Sequence, residues 1–471
     1  MASKLPDYVA SATPIPQDAR APWYKNTAQT YAGIMLWFVF WKAIPLGGGA
    51  AGGTLSHGLV VAFLALIAAG LACHFLFYLV PGMLGMKTGL PLYIVGTSTY
   101  GVQGGFLMPG FLMGLLQFGW VAVNAFFAAI LLCAPFGAEA PSLPHAIVAI
   151  VWAATGMFIG LKGIKYVARV ATFLPLIPLT ILIMLLVSTM GGLGNFDSEA
   201  IVQTSQTVAP ASIPLSTFGI FAVLMTYVVG FFATAGAAGV DFGMNNRNGK
   251  DVQLGGLVGI AFSTIFAGGV ALLVVAGAYG LGLAGTEKAI MDPTALMDSI
   301  LGSKVGPVCM WLLALAAFPT VCISSFIAAN CFKTTLPKVN PFISCGIGTV
   351  IASVLAVTGW AGDVAAVFGI IGASFGPVCG AMMADYLLAG RKWAGPRSGW
   401  NLAGWISWVI GFAVGSVDVI AKIPGLEGLA GKIPCPPVAA FLVGLVLYVI
   451  LAKMGLESKA LPMEDTAGDA A

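Results

Sequence analysis

Residues 105–134 read GFLMPGFLMGLLQFGWVAVNAFFAAILLCA, thirty residues without one acidic or basic side chain. A helix needs about 20 apolar residues to cross the hydrocarbon of a bilayer, and this stretch is long enough. Two amides, Gln117 and Asn124, lie within it. The same pattern recurs along the chain. Candidate spans fall at 28–47, 58–81, 105–134, 145–161, 165–190, 213–240, 254–283, 305–331, 342–359, 364–389, 401–420 and 435–453, about twelve in all. Composition agrees: only 8% of the 471 residues are charged and 59% are hydrophobic, whereas a soluble domain carries roughly 25% charged residues. So few charges cannot cover a water-facing surface. The excess apolar surface faces lipid, and the expected fold is an all-α integral membrane protein.

Lys and Arg placement tests the count. Cytoplasmic loops carry the excess of Lys and Arg. With alternating loops and the N-terminus inside, sixteen basic residues fall inside and four outside (Lys288, Lys304, Lys422 and Lys432), with Lys42 within a span. A wrong count would scramble that bias. The expectation is a multi-pass protein of the cytoplasmic (inner) membrane with both termini cytoplasmic. Residues 1–27 form a polar tail without the apolar run of a signal peptide. Residues 28–453 form the transmembrane domain, and the acidic segment 454–471 a second tail. No independent soluble domain is expected, so function lies in the helical bundle.

The residues argue against several classes. His57, His74 and His145 are scattered and form no HExxH pattern. Seven of the eight cysteines lie in apolar stretches with no CxxC, as packing residues do. No cofactor or metal site is expected beyond a coupling ion, and no basic run points to nucleic acid. A single chain of many spans with interrupted helices fits a transporter better than a channel or an enzyme. Transporters bind at mid-membrane where helices unwind, and glycine and proline within spans mark such places. The sixth span holds Gly230-Phe231-Phe232-Ala233-Thr234-Ala235-Gly236-Ala237-Ala238-Gly239; the first holds Gly33 and then Pro45 with Gly47, Gly48 and Gly49. Interruptions five spans apart predict a five-plus-five inverted repeat (28–190 and 213–389) with discontinuous helices 1 and 6. The last two helices, at 401–453, are peripheral. The bland alternative is that these glycines only permit close packing.

Several short patterns then line up in order: Pro14-Ile15-Pro16-Gln17-Asp18-Ala19-Arg20, Gly52-Gly53-Thr54-Leu55, Lys87-Thr88-Gly89-Leu90, Gln117-Phe118-Gly119-Trp120, Asp241-Phe242 before Asn246-Arg247-Asn248, Gly376-Pro377-Val378-Cys379-Gly380, and Ala384-Asp385-Tyr386. Together they resemble the nucleobase:cation symporter family of cytosine, purine, uracil, hydantoin, allantoin and thiamine permeases, and look closest to the cytosine permease branch. The resemblance covers about Pro14 to Leu388. It implies cation-coupled import of a nucleobase or a related planar heterocycle by alternating access.

The residues support that on their own. Gln117 and Trp120 are three apart and share a helix face, and Asn124 extends the stripe by a turn. An indole stacks on a planar ring, and an amide both donates and accepts at the ring's edge. The resemblance matches Gln117 and Trp120 to the family's substrate-binding pair and Phe232 to a second aromatic across the ring. Exposed backbone between Gly230 and Thr234 completes the contacts it implies. Phe231 stands where the cytosine branch has a small hydroxyl residue. The resemblance also implies a cation between the first-helix break near Gly33 and the eighth helix. There Thr320 matches a sodium-binding hydroxyl, Ala317 replaces an asparagine, and Val321 replaces a second hydroxyl. Sodium and a proton both stay open as the coupling ion.

An intramembrane lysine is costly and by default functional. Lys42 is read in four ways: a fixed charge near the cation site, a proton carrier, a partner for an anionic substrate, or a side chain snorkelling to the outer headgroups. Asp241 and Asp385 read as interfacial charge pairs, with Arg247 and with Arg391 and Lys392 nearby, or as parts of an inner gate. The expected partners are a small-molecule substrate, a coupling cation and the lipid bilayer, with the monomer as the working unit. The rival readings are an amino-acid or amine carrier of the same architecture, and a membrane sensor or enzyme.

Overall fold

A computed structural model of the chain describes residues 5–163, 167, 171, 173–283 and 291–463. Lys4, Lys165, Arg169 and Lys288 of the charge pattern, and the end of the acidic tail, lie outside the described residues. Thirteen helices matter here: α1 (Thr27–Met35), α2 (Phe38–Leu46), α3 (Gly58–Thr88), α4 (Thr97–Phe136), α5 (Leu143–Lys162), α6 (Leu176–Asn195), α7 (Thr217–Ala237), α8 (Gly249–Gly280), α9 (Val305–Thr335), α10 (Pro341–Val357), α11 (Val364–Leu388), α12 (Leu402–Gly415) and α13 (Pro436–Lys453). Among the described residues nine are long and apolar enough to cross a membrane, and α1 with α2 makes a tenth as one bent pair. The remaining expected segments are occupied by α10 and α12, which are apolar but shorter. No strand occurs among the described residues, only isolated bridges.

The exterior has the chemistry of a lipid-facing surface. On α10, Ile343, Ile347, Val350 and Val354 are all exposed at helical spacing. The interior is held by close helix contacts. α4 packs on α5 and α9, and α11 packs on α7, α12 and α13.

The first span breaks as expected, but not at its glycines. α1 and α2 meet at 55°, with Trp37 extended at the joint (φ −66°, ψ 129°). The Trp37 N–H turns to the carbonyl of Ile34, so the Gly33 carbonyl loses its i+4 partner. Pro45 and Gly47–Gly49 mark the end of α2 instead. Those three glycines have φ of 55°, 75° and 82°, a left-handed run that stops a helix.

The sixth span corrects the sequence reading. α7 stays helical from Thr217 through Ala237, and the interruption falls at Ala238, before a short helix at Gly239–Gly243. Gly230 is there for contact. A Cβ on it would lie 2.5 Å from the Phe368 carbonyl oxygen of α11, and one on Gly236 would lie 2.8 Å from Phe77 Cβ of α3. These glycines let neighbouring helices touch without unwinding their own. The backbone between Gly230 and Thr234 is therefore not free to bind a ligand.

Both described chain ends lie on one face, with the basic loops. Ile15 N–H donates to Gly89 O, Arg20 Nη1 to Met86 O, and Ala21 N–H to Asn245 O. The N-terminal segment is thus docked on the bundle. Near the other end, Arg397 bridges Asp385 (3.0 Å) and Glu457 (2.9 Å). Ser98 and Thr99 also donate to Asp385. Asp385 pairs with Arg397 rather than with Arg391 or Lys392, and Arg247 pairs with Asp251 at 2.8 Å rather than with Asp241.

Candidate functional site

A cavity of about 820 Å³ lies between α1, α4, α7 and α9. One end reaches Pro91, Lys333, Thr334 and Thr335, on the face that carries both chain ends. The other end is stopped by packed rings. Phe231 lies 5.9 Å from Trp37, 5.4 Å from Trp120 and 5.4 Å from Phe368 between ring centroids, and Trp37 meets Trp120 edge-on at 6.0 Å. Such offset and edge-to-face pairs are the arrangements that ring quadrupoles favour.

Gln117 is buried (6% exposed) and lines this cavity. Its Nε2 has only the Met113 thioether within reach, at 3.5 Å. A thioether is a weak acceptor, and among the described residues no protein group meets Oε1. A buried amide left this free is expensive unless something satisfies it. One turn on, Trp120 Nε1 donates to Thr234 Oγ1 at 3.2 Å. Thr234 thereby fixes the indole from the opposite wall.

Asn124 lines the same cavity, but its amide is fully engaged. Nδ2 donates to Ala317 O (3.1 Å) and Thr320 Oγ1 (2.6 Å), and Oδ1 accepts from Trp152 Nε1 (2.8 Å). The indole N–H can only donate, so this orientation of the amide is the one the partners require. Asn124 ties α4 to α5 and α9.

Phe232 is placed differently from the expectation. It is fully buried and packs on Tyr31 at 5.6 Å, away from the cavity. Phe231 lines the cavity in its stead. Because α7 remains helical, Phe231 shares a face with Thr234 three residues on, and Phe232 is turned about 100° from it. Gly230 likewise faces α11, outside the cavity. The spacing from Phe231 to Thr234 carried this signal. Trp37 gave none, because its place depends on where the first span breaks.

Gly33, Ala317 and Thr320 do come together, in a second cavity of about 380 Å³ between α1, α6 and α9. On the α9 side its oxygens are already engaged: Thr320 Oγ1 donates to Ala317 O at 2.6 Å, and Asn124 directs its N–H groups at both, whereas the Gly33 carbonyl has no helical partner. A cation needs those same lone pairs. Lys42 is elsewhere, 3.4 Å from Asp292 and over the Phe127 ring at 5.5 Å. No cluster of His, Cys, Asp and Glu able to hold a metal occurs among the described residues.

No protein-family model matches the chain. It is 28% identical over 451 residues to the cytosine permease of Escherichia coli strain K12, and equally to that of E. coli O157:H7, covering 94% of this chain and 93% of each relative. The chain is a relative of the cytosine permeases. Among solved structures it resembles the inward facing conformation of Mhp1 (TM-score 0.68, 15% identity, 96% of both chains). It also resembles Mhp1, a nucleobase-cation-symport-1 family transporter, in a closed conformation with bromovinylhydantoin bound (TM-score 0.59, 15% identity, 95% of this chain and 98% of that one). At that identity the likeness speaks for the fold. The chain therefore shares the all-helical fold of these transporters.

Proposed function

We propose that this protein is a secondary transporter that imports a nucleobase-like planar heterocycle by cation-coupled alternating access. The observation that carries the reading is Gln117: a buried amide whose Nε2 meets only the Met113 thioether and whose Oε1 meets no protein group among the described residues, one turn from the Trp120 indole, facing a cavity large enough for a ring. The ring stacks on Trp120, Gln117 hydrogen-bonds its edge, and Thr234 holds the indole in place. Phe231 takes the role first assigned to Phe232. A neutral heterocycle suits these walls better than an amino acid, because α7 offers no unwound backbone to meet a carboxylate.

The basic face carrying both described chain ends is the cytoplasmic side of the inner membrane, following the Lys and Arg excess. The cavity then opens inward, and the rings of Trp37, Trp120, Phe231 and Phe368 form the closed outer barrier. Transport alternates this state with one in which the rings part and the mouth near Pro91 and Lys333 shuts. A cation gradient drives uptake.

Thermal stabilisation of the purified protein tests the reading, using cytosine, uracil, hypoxanthine, hydantoin, allantoin, urate, thiamine and amino acids, each with sodium or choline. A ligand that binds only the folded form raises its melting temperature in proportion to saturation. A nucleobase-like ring should stabilise the wild type, and Gln117→Ala should weaken that ring about tenfold, through the loss of roughly 1–2 kcal/mol of buried hydrogen bonding. Stabilisation by amino acids alone would overturn the substrate class.

A further inference from the structure

Among the described residues the large cavity is lined by one acidic side chain, Asp241, and it has no part in the ring site described above. Asp241 sits in the short helix Gly239–Gly243, after the end of α7. One oxygen, Oδ1, accepts the Leu92 N–H at 2.9 Å. No cationic group comes within ion-pair distance of it among the described residues. The groups facing it are Tyr31 on α1, Tyr93 beside Leu92, and Cys331 on α9. Lys333 lies further along the mouth. On α3, Tyr78 packs at Gly239, and Lys87 turns away to donate to Arg391 O. A carboxylate among aromatic and thiol neighbours, open only to cavity water, is poorly solvated. That burial pushes the Asp241 carboxyl up to about 6, within reach of physiological pH.

We infer that Asp241 is the proton-carrying residue of this transporter and that the coupling ion is a proton, an inference that rests on the ring-transport reading above. Thr234, Ala238 and Asp241 follow one another along one wall, about two helical turns from end to end. An uncharged ring entering the cavity displaces the water that solvates the carboxylate, so ring binding favours its protonated form. Linkage is reciprocal: the proton must then favour the ring by the same factor. The step balances simply, since one proton joins a carboxylate oxygen as the ring binds and leaves to cytoplasmic water as the ring departs. The sodium alternative has the thinner ligand set, because the Asn124 N–H groups already bond the oxygens of Ala317 and Thr320 and only the Gly33 carbonyl is released by the bend.

The test uses purified full-length protein in proteoliposomes. The probe is whichever of cytosine, uracil, hypoxanthine and hydantoin stabilises the wild type most. Failure of these four and of allantoin, urate and thiamine to bind overturns the ring-transport reading and this inference with it. Given a binding ring, an inward proton gradient without sodium should drive wild-type accumulation at least about tenfold above de-energised vesicles. The wild-type apparent affinity should weaken toward about tenfold per pH unit above pH 6, the slope of a single linked proton. Asp241→Asn mimics the neutral acid: it should bind the ring independently of pH and exchange it across the membrane, while accumulation falls to the de-energised level. Asp241→Glu should restore proton-driven accumulation, a rescue that a purely structural capping role for Leu92 would not produce at a shifted pH. Proton-driven accumulation that persists in Asp241→Asn would sink the inference and leave the ring site standing. So would a wild-type affinity that is flat across pH 5 to 8, a measurement that holds even if the Asn variant does not fold.

Discussion

The two walls that face each other across the large cavity, α4 and α7, illustrate two kinds of sequence signal. On α4 the signal is a side-chain stripe. Gln117, Trp120 and Asn124 recur at helical spacing, and all three line the cavity. On α7 the signal is a set of glycines and alanines between Gly230 and Gly239, and it permits two opposite structures. One is an unwound helix, and the other is an intact helix in close contact with a neighbour. α7 is the second kind. A stripe states which face is used, whereas a glycine states only what is absent from a position.

The sharpest way to break that comparison is at Gly230. A Cβ there would meet the Phe368 carbonyl at 2.5 Å, and a backbone carbonyl cannot swing aside as a side-chain tip can. Overpacking of this kind costs about 1–3 kcal/mol and often more. Gly230→Leu is expected to abolish the monodisperse peak of purified protein in size-exclusion chromatography. An unwound segment would tolerate the leucine, so recovery of folded protein that merely transports poorly would restore the broken-helix reading.

Next in size is the exchange of roles between adjacent phenylalanines. Phe232 is fully buried against Tyr31, so Phe232→Ala should destabilise by roughly 3–5 kcal/mol, as large-to-small core changes do. Its preference among rings should not change. Phe231 lines the cavity and closes its outer end, so Phe231→Ser should shift the order of preference toward more polar rings. The same ligand panel with melting curves checks both, and a selectivity change confined to Phe232→Ala would reverse the assignment.

Trp120→Ala gives a smaller effect on stability but a clear one on binding. Stacking of a base on an aromatic side chain is worth about 1–3 kcal/mol, so affinity for the ring should fall about tenfold to a hundredfold. Thr234→Val removes only the acceptor that holds the indole at 3.2 Å and should cost a fraction of that. Equal losses from the two substitutions would mean that Thr234 touches the ligand itself.

How much was readable follows from the physics of each feature. Apolar runs and the Lys and Arg bias marked the positions of the helices, because bilayer thickness and loop charge act on local sequence. The stripe on α4 was readable because helical spacing is local too. The bend between α1 and α2 was expected, yet its place at Trp37 was not. The joint contains neither glycine nor proline, and the indole is held by Trp120 and Phe231 from distant segments. Phe231 and Phe232 were exchanged because an unwound helix has no fixed face. Asn124 and Thr320 were assigned to different ligands, whereas the structure has them bonded to each other at 2.6 Å. Hydrogen bonds between spans nearly 200 residues apart leave no periodic trace.

Lys42 gives the smallest effect and bears on what lies beyond both walls. It sits on α2, past the ring barrier, with its ammonium 3.4 Å from Asp292 and about a third of the side chain exposed. Asp292 is also held locally, accepting from the Thr294 N–H at 2.9 Å and its hydroxyl at 2.7 Å, so it keeps its orientation without the lysine. A partly exposed pair of this kind contributes about 0.2–1 kcal/mol, and the Phe127 face adds a similar amount at most. Lys42→Gln should therefore lower the melting temperature slightly and alter transport by no more than about fivefold, the rate equivalent of 1 kcal/mol. Its dependence on the proton gradient should match the wild type. A lysine that carried the coupling proton or met the substrate would behave otherwise: Lys42→Gln would abolish accumulation while leaving exchange intact, the phenotype expected here of Asp241→Asn. Comparing the two variants in one preparation decides which of the two charged groups, on opposite sides of the ring barrier, is tied to the proton.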